Sequence, residues 1–161
     1  MRGEYILVNE DGSETVIANS LIEEGLEQLI TTLFNYDDIT GHNFIFGAFA
    51  EVPVYGATLQ AQYTTEPTIG VGAYARQSVN PTGWAIVAAN NEVYAESPLI
   101  SFTATGADFD KSFNRLFMAV RIENPAATFV EYLTSVGSAL AAMETVLDGQ
   151  TFSIKYRLFF K

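Results

Sequence analysis

The sequence contains no cysteine among its 161 residues. This absence excludes a disulfide framework, a zinc–thiolate site, an iron–sulfur cluster and a cysteine nucleophile together. Histidine occurs once, at His42, which excludes a metal site built from several histidines. A triad around His42 would also need a Gly-x-Ser-x-Gly elbow to present the nucleophile, and the sequence has none. We therefore predict that the protein is not an enzyme and that it uses no cofactor or metal.

Basic residues and long apolar runs are also scarce. Eight Lys and Arg face nineteen Asp and Glu, and the imbalance is concentrated in residues 1–75, which hold one base against eleven acids. An acidic surface repels phosphate backbones and anionic lipid, so we expect neither a nucleic-acid nor a membrane partner. Residues 1–5 lack the pattern of a signal peptide, and no apolar run approaches the ~18 residues of a membrane span. The acidic half either serves solubility or meets a basic partner surface.

What the chain does contain is apolar and aromatic: 48% of its residues are hydrophobic and 13% are aromatic. A single domain of this size buries roughly 68–70% of the surface that its unfolded chain exposes. It therefore needs no disulfide or metal to fold. From residue 73 onward, short extended segments recur every 8–15 residues with turn formers between them, which is typical of an antiparallel sandwich or barrel. The fold class that this pattern predicts is mainly β, an antiparallel sandwich or barrel.

The N-terminal region carries two further predictions. Residues 4–18 read as a hairpin around the turn formers at 9–13. Ser20 and Glu23 have the spacing of a capping box, and apolar residues then recur at helical spacing, which predicts an amphipathic helix over about 20–34. The resulting plan is one domain over 1–161, with a hairpin or arm at 1–18, a helix at 19–35 and a sandwich at 43–161 that includes a long loop at 51–72.

Residues 128–147 fit two structures. Phe129, Leu133, Val136 and Leu140 repeat at steps of four and three, which alone indicates an amphipathic helix. The same stretch is rich in β-prone residues at period two, and a break near Gly137 would join two strands. The sequence leaves the segment open between a helix and two strands.

Paired carboxylates are the remaining place for chemistry. Asp37 and Asp38 are adjacent, and Asp108 and Asp110 are separated by one residue. Two carboxylates can act as acid and base in glycoside hydrolysis, and Asp108 with Asp110 could offer oxygens to calcium. The Gly and the terminal Glu of a calcium loop are missing, so we interpret Asp108 and Asp110 as part of a solvated turn.

Aromatic and arginine residues in weakly charged surroundings are the candidates for contacts between chains. The loop at 51–72 has aromatic residues and hardly any charge, and arginine favours interfacial pairing with carboxylates. Two phenylalanines are expected to point outward from strands and to form apolar patches. The candidate interface residues are Tyr55, Tyr63, Tyr74, Arg76, Trp84, Phe117, Arg121 and Phe159.

Several short motifs resemble those of small tailed-bacteriophage virion proteins. The segment 18–29 is similar to their opening helix, and an apolar strand follows at 43–50. Residues 73–77, Ala-Tyr-Ala-Arg-Gln, precede a tryptophan at 84, and a turn at 148–151 leads to an alternating final strand. The resemblance spans about residues 18–161. It departs from the pattern at Ala73, where Gly is common, and it leaves the hairpin at 4–18 unmatched.

The resemblance implies a β-sandwich or jelly roll located in a virion. We therefore expect a capsid decoration, or cement, protein on the outer capsid surface. Such a protein would bridge capsomers of the major capsid protein as a homo-oligomer, with a trimer favoured. The alternative is a tail-fibre, head-fibre or tail adaptor module that binds another virion protein or a host receptor, where exposed Tyr55, Tyr63 and Trp84 could stack on sugars. A glycosidase that depends on Asp108 and Asp110 is the third hypothesis.

Overall fold

A computed structural model describes residues 2–22, 25, 27, 30, 41–50, 59, 62–89, 92–123 and 129–160. Strands account for 55% of the structure, which confirms the prediction of a mainly β, antiparallel protein. The ten strands are β1 (Arg2–Val8), β2 (Glu14–Leu21), β3 (Gly41–Phe49), β4 (Gln77–Val79), β5 (Ala85–Ala89), β6 (Glu92–Glu96), β7 (Ile100–Thr103), β8 (Arg115–Glu123), β9 (Phe129–Gly137) and β10 (Thr151–Phe160).

These strands form one curled antiparallel sheet in the order β4-β3-β8-β9-β2-β1-β10-β6-β5, and β7 pairs with β10 beside this path. Strand β2 joins two parts of the sheet. Its residues 14–18 pair with β1, and its residues 19–21 pair with β9. We call β3, β8 and β9 the covered half, and β1, β10 and β6 the open half.

The main core fills the space between the two halves. Phe46 and Met118 from the covered half meet Ile154 and Tyr156 from the open half, and all four are at least 99% buried. Period-two alternation explains the open half, because every second residue of β10 from Phe152 to Leu158 is buried. The faces predicted for the final strand are confirmed at these positions.

The covered half is buried on its other face as well. Ile45, Phe49 and Phe117 form a second cluster there with Leu59 and Tyr63, which come from outside the sheet. Both faces of β8 are therefore apolar from Leu116 to Val120, and all five residues are buried. A strand that is apolar on both faces is one that the fold covers on both faces.

The predicted helix is wrong at its start. Asn19, Ser20 and Leu21 belong to β2 and pair with β9, so Ser20 does not cap a helix. Most of the remaining segment, including Glu23, lies outside the described residues. The three described positions within it, 25, 27 and 30, have helical backbone geometry. No helix of seven or more residues occurs in the described part of the chain.

Two other segments differ from the sequence-based expectation. The predicted domain plan begins the sandwich at residue 43, but β3 already begins at Gly41, and His42 pairs with Ile122 of β8. In the ambiguous segment, Phe129–Gly137 is a strand rather than a helix. The described residues after it contain no second named strand, only an isolated bridge between Phe113 and Glu144.

Candidate interaction surface

Glu66 holds the cover of the covered half in place from inside the protein. Its side chain is fully buried. Arg76 donates to both carboxylate oxygens, from Nε to Oε1 at 2.8 Å and from Nη2 to Oε2 at 2.6 Å. The Tyr74 hydroxyl donates to Oε1 at 2.9 Å, and the backbone N–H of Tyr63 donates to Oε2 at 3.1 Å. Four donors on two oxygens satisfy this buried charge, and we call the group the Glu66 clasp.

The clasp changes the meaning of Arg76. This arginine was expected to contact acidic residues of another subunit, but its side chain is only 10% exposed and pairs with Glu66 of its own chain. Its guanidinium also lies over the ring of Phe117, 5.2 Å from the centroid. Contact with the carboxylate raises the pKa of Arg76 above its ordinary value, despite the opposing effect of burial. Arg76 is therefore a structural residue of the monomer.

The backbone that leads into the clasp has an unusual conformation at two consecutive residues. Gly72 and Ala73 both have left-handed backbone angles, with φ of 58° and 61°. A Cβ on Gly72 would lie 2.6 Å from the carbonyl oxygen of Asp108, so only glycine fits there. Ala73 adopts the same region with a side chain, which costs about 1 kcal/mol or more. Glycine at position 73 would be free of this strain.

A second buried polar group ties the two halves together. Asn19 of β2 donates through Nδ2 to the Tyr156 hydroxyl at 2.8 Å and to Ser135 Oγ at 2.5 Å. The Tyr5 hydroxyl lies 3.1 Å from the same Ser135 oxygen. Burial raises the pKa of Tyr156 from 10.0 to about 12, and burial together with Tyr156 raises the pKa of Tyr5. Both phenols remain neutral near neutral pH, so the group supplies no nucleophile.

The carboxylates proposed for calcium or acid–base chemistry stabilise turns instead. Asp110 Oδ1 accepts from the backbone N–H of Thr68 at 2.7 Å, and Asp108 Oδ1 accepts from that of Asp148 at 2.7 Å. The bond from Thr68 lowers the pKa of Asp110. Within the described residues, no group of three or more His, Cys, Asp or Glu side chains is placed to hold a metal ion. Asp37 and Asp38 lie outside the described residues.

Most of the predicted interface residues lie inside the protein. Tyr63, Tyr74, Phe117 and Phe159 are each at least 96% buried, so the expectation that these rings are exposed is wrong. Phe117 does point away from the main core, but Phe49 and Tyr63 cover it, at ring-centroid distances of 5.3 and 5.6 Å.

Phe159 is covered in a different way. The Arg2 guanidinium lies 4.1 Å from its ring centroid, and Tyr94 packs beside it at 4.9 Å. Sequence periodicity alone does not show this, because alternation says which face a ring occupies and not what covers that face.

Three predicted residues remain. Tyr55 lies outside the described residues. Arg121 is part-exposed, with its guanidinium 4.6 Å from the ring centroid of the exposed Phe129, and it is paired with Glu131. Trp84 is half-buried and packs on Phe44 at 4.7 Å, and it immediately precedes β5.

The most accessible apolar element among the described strands is β5 itself. Its sequence, Ala-Ile-Val-Ala-Ala, carries no charge, and four of its five residues are exposed. Ile86 is 73% exposed, the highest value among the large hydrophobic residues that the structure describes as exposed. Strand β5 ends the sheet, and β6 is the one described strand that pairs with it. We call this element the β5 edge. Its composition is visible in the sequence, but its place at the end of the sheet is not.

The charges nearest to the β5 edge are paired. Glu96 of β6 accepts from Arg157 Nε at 2.6 Å, and Glu92 accepts from Arg2 at 3.2 Å. Lys155 extends this row through Glu14 at 3.1 Å. The chain as a whole has a net charge of −11, yet the surface beside β5 combines bases and acids. A chemically neutral, apolar strand edge is suited to contact with another protein chain.

The chain was compared with known protein families, curated proteins and solved structures. No protein-family model, no curated protein and no solved structure matches the chain. Among the described residues, no helix is long and apolar enough to cross a membrane.

Proposed function

We propose that this protein is a structural component of a bacteriophage virion, a decoration protein on the outer capsid surface that stabilises the shell by bridging capsomers. The observation that carries the proposal is the β5 edge, which is exposed, uncharged and bordered by paired charges, and through which copies of the chain would assemble on the shell. Edge strands of this kind join chains through their main-chain groups. The phage-like motifs of the sequence supply the virion context.

The engagement of the reactive groups with neighbours in their own chain supports a role without catalysis. Glu66 and Arg76 neutralise each other, Tyr5 and Tyr156 are buried phenols, and Asp108 and Asp110 bind backbone amides. A glycosidase needs two carboxylates that face a substrate across an open site. The carboxylates of Glu66, Asp108 and Asp110 instead bind neighbours in their own chain.

The finer fold is part of this proposal. We infer a β-sandwich resembling a jelly roll, because β2 passes from one half of the sheet to the other and the main core lies between the halves. We also infer a helix that begins after Ile22 rather than at Ser20. A Cβ on Gly25 would lie 2.1 Å from the carbonyl oxygen of Leu133, so the backbone at Gly25 lies directly against β9. Helical backbone chemical shifts over 23–34 are expected, and extended values there would overturn the helix.

Copy number in the particle tests the virion proposal and separates it from its alternative. We expect quantitative mass spectrometry of virions from a phage that encodes this chain to find hundreds of copies per particle. A handful of copies would instead favour a tail or head-fibre adaptor, and absence from the particle would remove the virion role. The sugar-stacking form of the adaptor hypothesis loses one of its rings, because Tyr63 is 96% buried.

Shell stabilisation has its own test. Purified protein added to capsids that lack it should raise their melting temperature and should co-sediment with them. A capsid that melts at the same temperature with and without saturating protein would contradict the decoration role, even if the protein is found in virions.

A further inference from the structure

We propose that the β5 edge pairs with the β5 edge of a second copy of this chain. The two strands would be antiparallel, with a two-fold axis midway between the two copies of Val87. This inference does not depend on the virion role, because it follows from the strand itself. It also replaces the trimer expected from the resemblance with a two-fold pair.

The backbone of β5 determines what kind of partner fits. In an edge strand, every second residue directs its N–H and C=O away from the sheet, and only another extended backbone pairs with that row. Natural edges are protected against such pairing by lysine, proline, bulges or short length. Strand β5 has five residues without lysine or proline, and its pairing with β6 runs without a register shift from Ala85 to Ala89.

Symmetry fixes the register. In an antiparallel pair, directly opposed residues point to the same face of the sheet. Two identical strands related by a two-fold axis perpendicular to the sheet therefore pair with the axis midway between one residue and its own copy. Only an axis between the two copies of Val87 pairs all five residues of the strand. Val87 then faces Val87 of the partner subunit, and Ala85 faces the partner subunit's Ala89.

Side-chain size favours this register as well. Ile86 and Ala88 share one face of β5, and the two-fold axis places each Ile86 opposite an alanine of the second copy. The 73% exposed isoleucine would thus be covered without opposing another isoleucine. On the other face, the pairs are alanine with alanine and valine with valine, and no pair opposes like charges.

Electrostatics allows this contact despite the net charge of −11. Identical acidic chains repel each other in general. The acids of the neighbouring strand β6, Glu92 and Glu96, have basic partners in Arg2 and Arg157. The β5 edge is therefore a place where two copies approach without bringing unpaired acids together.

A single pair of five-residue strands makes a small interface, so we expect reversible association in the micromolar range rather than an obligate dimer. Sedimentation velocity over a concentration series should show a monomer–dimer equilibrium. A protein that stays monomeric at about 100 μM, or that forms a trimer without dimer, would overturn the proposal.

Site-specific cross-linking tests the register, and the absence of native cysteine makes it clean. Opposed residues of an antiparallel pair have Cα atoms about 4.5–5.5 Å apart, which is within disulfide range. We expect V87C to form a disulfide-linked dimer under mild oxidation. A85C alone should not, because its two copies would lie about 14 Å apart. An equal mixture of A85C and A89C should cross-link to a heterodimer.

Two cross-linking results would contradict the proposed pairing. If V87C yields no more dimer than A85C, the two-fold register is wrong. If all three cysteine samples cross-link equally, the contact is collisional and the proposal fails.

Charge substitution at the axis provides a second test. V87K and V87E should each weaken self-association at least about tenfold, because each places like charges opposite one another. An equal mixture of the two should recover association as a heterodimer, which a simple folding defect would not do. L147K, at another exposed apolar residue, is the matched control and should associate as the unmodified chain does. Failure of the mixture to recover association would contradict pairing at Val87.

Discussion

The covered half and the open half of the sheet are built from strands of similar length and the same antiparallel pairing, yet they meet water differently. In the covered half, Phe117 and Ala119 point away from the main core and are still fully buried. In the open half, Lys155 and Arg157 point away from it and are 28% and 21% exposed in a row of ion pairs. The difference lies in what the chain places over each outer face.

The covered half depends on segments that are distant in sequence. Leu59 and Tyr63 lie over β3 and β8, and the Glu66 clasp fixes the segment that carries them. The buried ion pair of Glu66 and Arg76 thus holds in place the segment that covers an apolar face of the sheet. The outer face of the covered half is packed under other segments of the chain, whereas that of the open half carries a row of part-exposed ion pairs beside the buried ring of Phe159.

The sharpest test of this comparison uses two phenylalanines on the two outer faces. Phe117→Ala should lower the free energy of unfolding by about 3–5 kcal/mol, because it leaves a cavity under Phe49 and Tyr63. Phe159→Ala should cost about 2 kcal/mol less, because the flexible Arg2 that covers it can collapse into the space. Urea unfolding of both variants measures this, and equal losses would break the distinction between the halves.

The clasp gives the next largest effect. Glu66→Gln keeps the shape but leaves Arg76 without a carboxylate, and we expect a loss of about 3 kcal/mol. Glu131→Gln, which breaks the more exposed pair with Arg121, is the matched control and should cost about 1 kcal/mol or less. Thermal and urea unfolding would compare them, and a Glu66→Gln loss no greater than the control would mean that the cover does not need the clasp.

The tie between the halves predicts a dependence on alkaline pH. Because burial raises the pKa of Tyr156 from 10.0 to about 12, its stabilising effect is complete below pH 10 and is lost as the pH rises towards 12. Tyr156→Phe should cost about 1 kcal/mol at pH 8, since Asn19 loses its acceptor. The difference from the unmodified chain should shrink between pH 10 and pH 12. A difference that stays constant over that range, measured by urea unfolding, would mean that this phenol ionises freely in the folded protein.

The ion pairs of the open half give the smallest effect. Lys155→Gln should cost about 0.5 kcal/mol at low salt and less at high salt, as is usual for exposed pairs. The hydrogen bond from Lys155 lowers the pKa of Glu14, so this contribution is present above the ordinary pKa of 4.5 and fades as the pH falls through the lowered value. A loss of several kcal/mol that salt leaves unchanged would show that the open half is held by more than surface charge.

The same contrast explains how far the sequence could predict the fold. Alternation predicted the final strand, because one face of residues 152–158 meets the core and the other is partly open to water. Ser20 and Glu23 form a local helix signal, but Ser20 pairs with Val136 in the sheet. A partner strand more than a hundred residues away overrides a local cap, and no local pattern reveals it.

The candidate site was predictable only in kind. Weakly charged, aromatic-rich segments predicted contacts between chains, but the rings of Tyr63 and Phe117 turned out to contact each other. The more useful signal is the uncharged run from Ala85 to Ala89, whose composition is visible in the sequence but whose position at an edge is not. Whether a strand lies at an edge depends on the order of all ten strands in the sheet, and the sequence of a single strand does not reveal that order.

The pairing of β1 with β10 has a consequence for how the protein is made. Arg2 lies opposite Phe159 and Val8 opposite Ser153, so β1 has β2 on one side and the distant β10 on the other. During synthesis, β1 and β2 emerge long before β10, and a two-stranded hairpin is only marginally stable in water. The open half, which contains β10, can form only after β10 has emerged. Until then β1 lacks one of its two partner strands, and an unpaired strand edge makes an incompletely folded chain prone to aggregation.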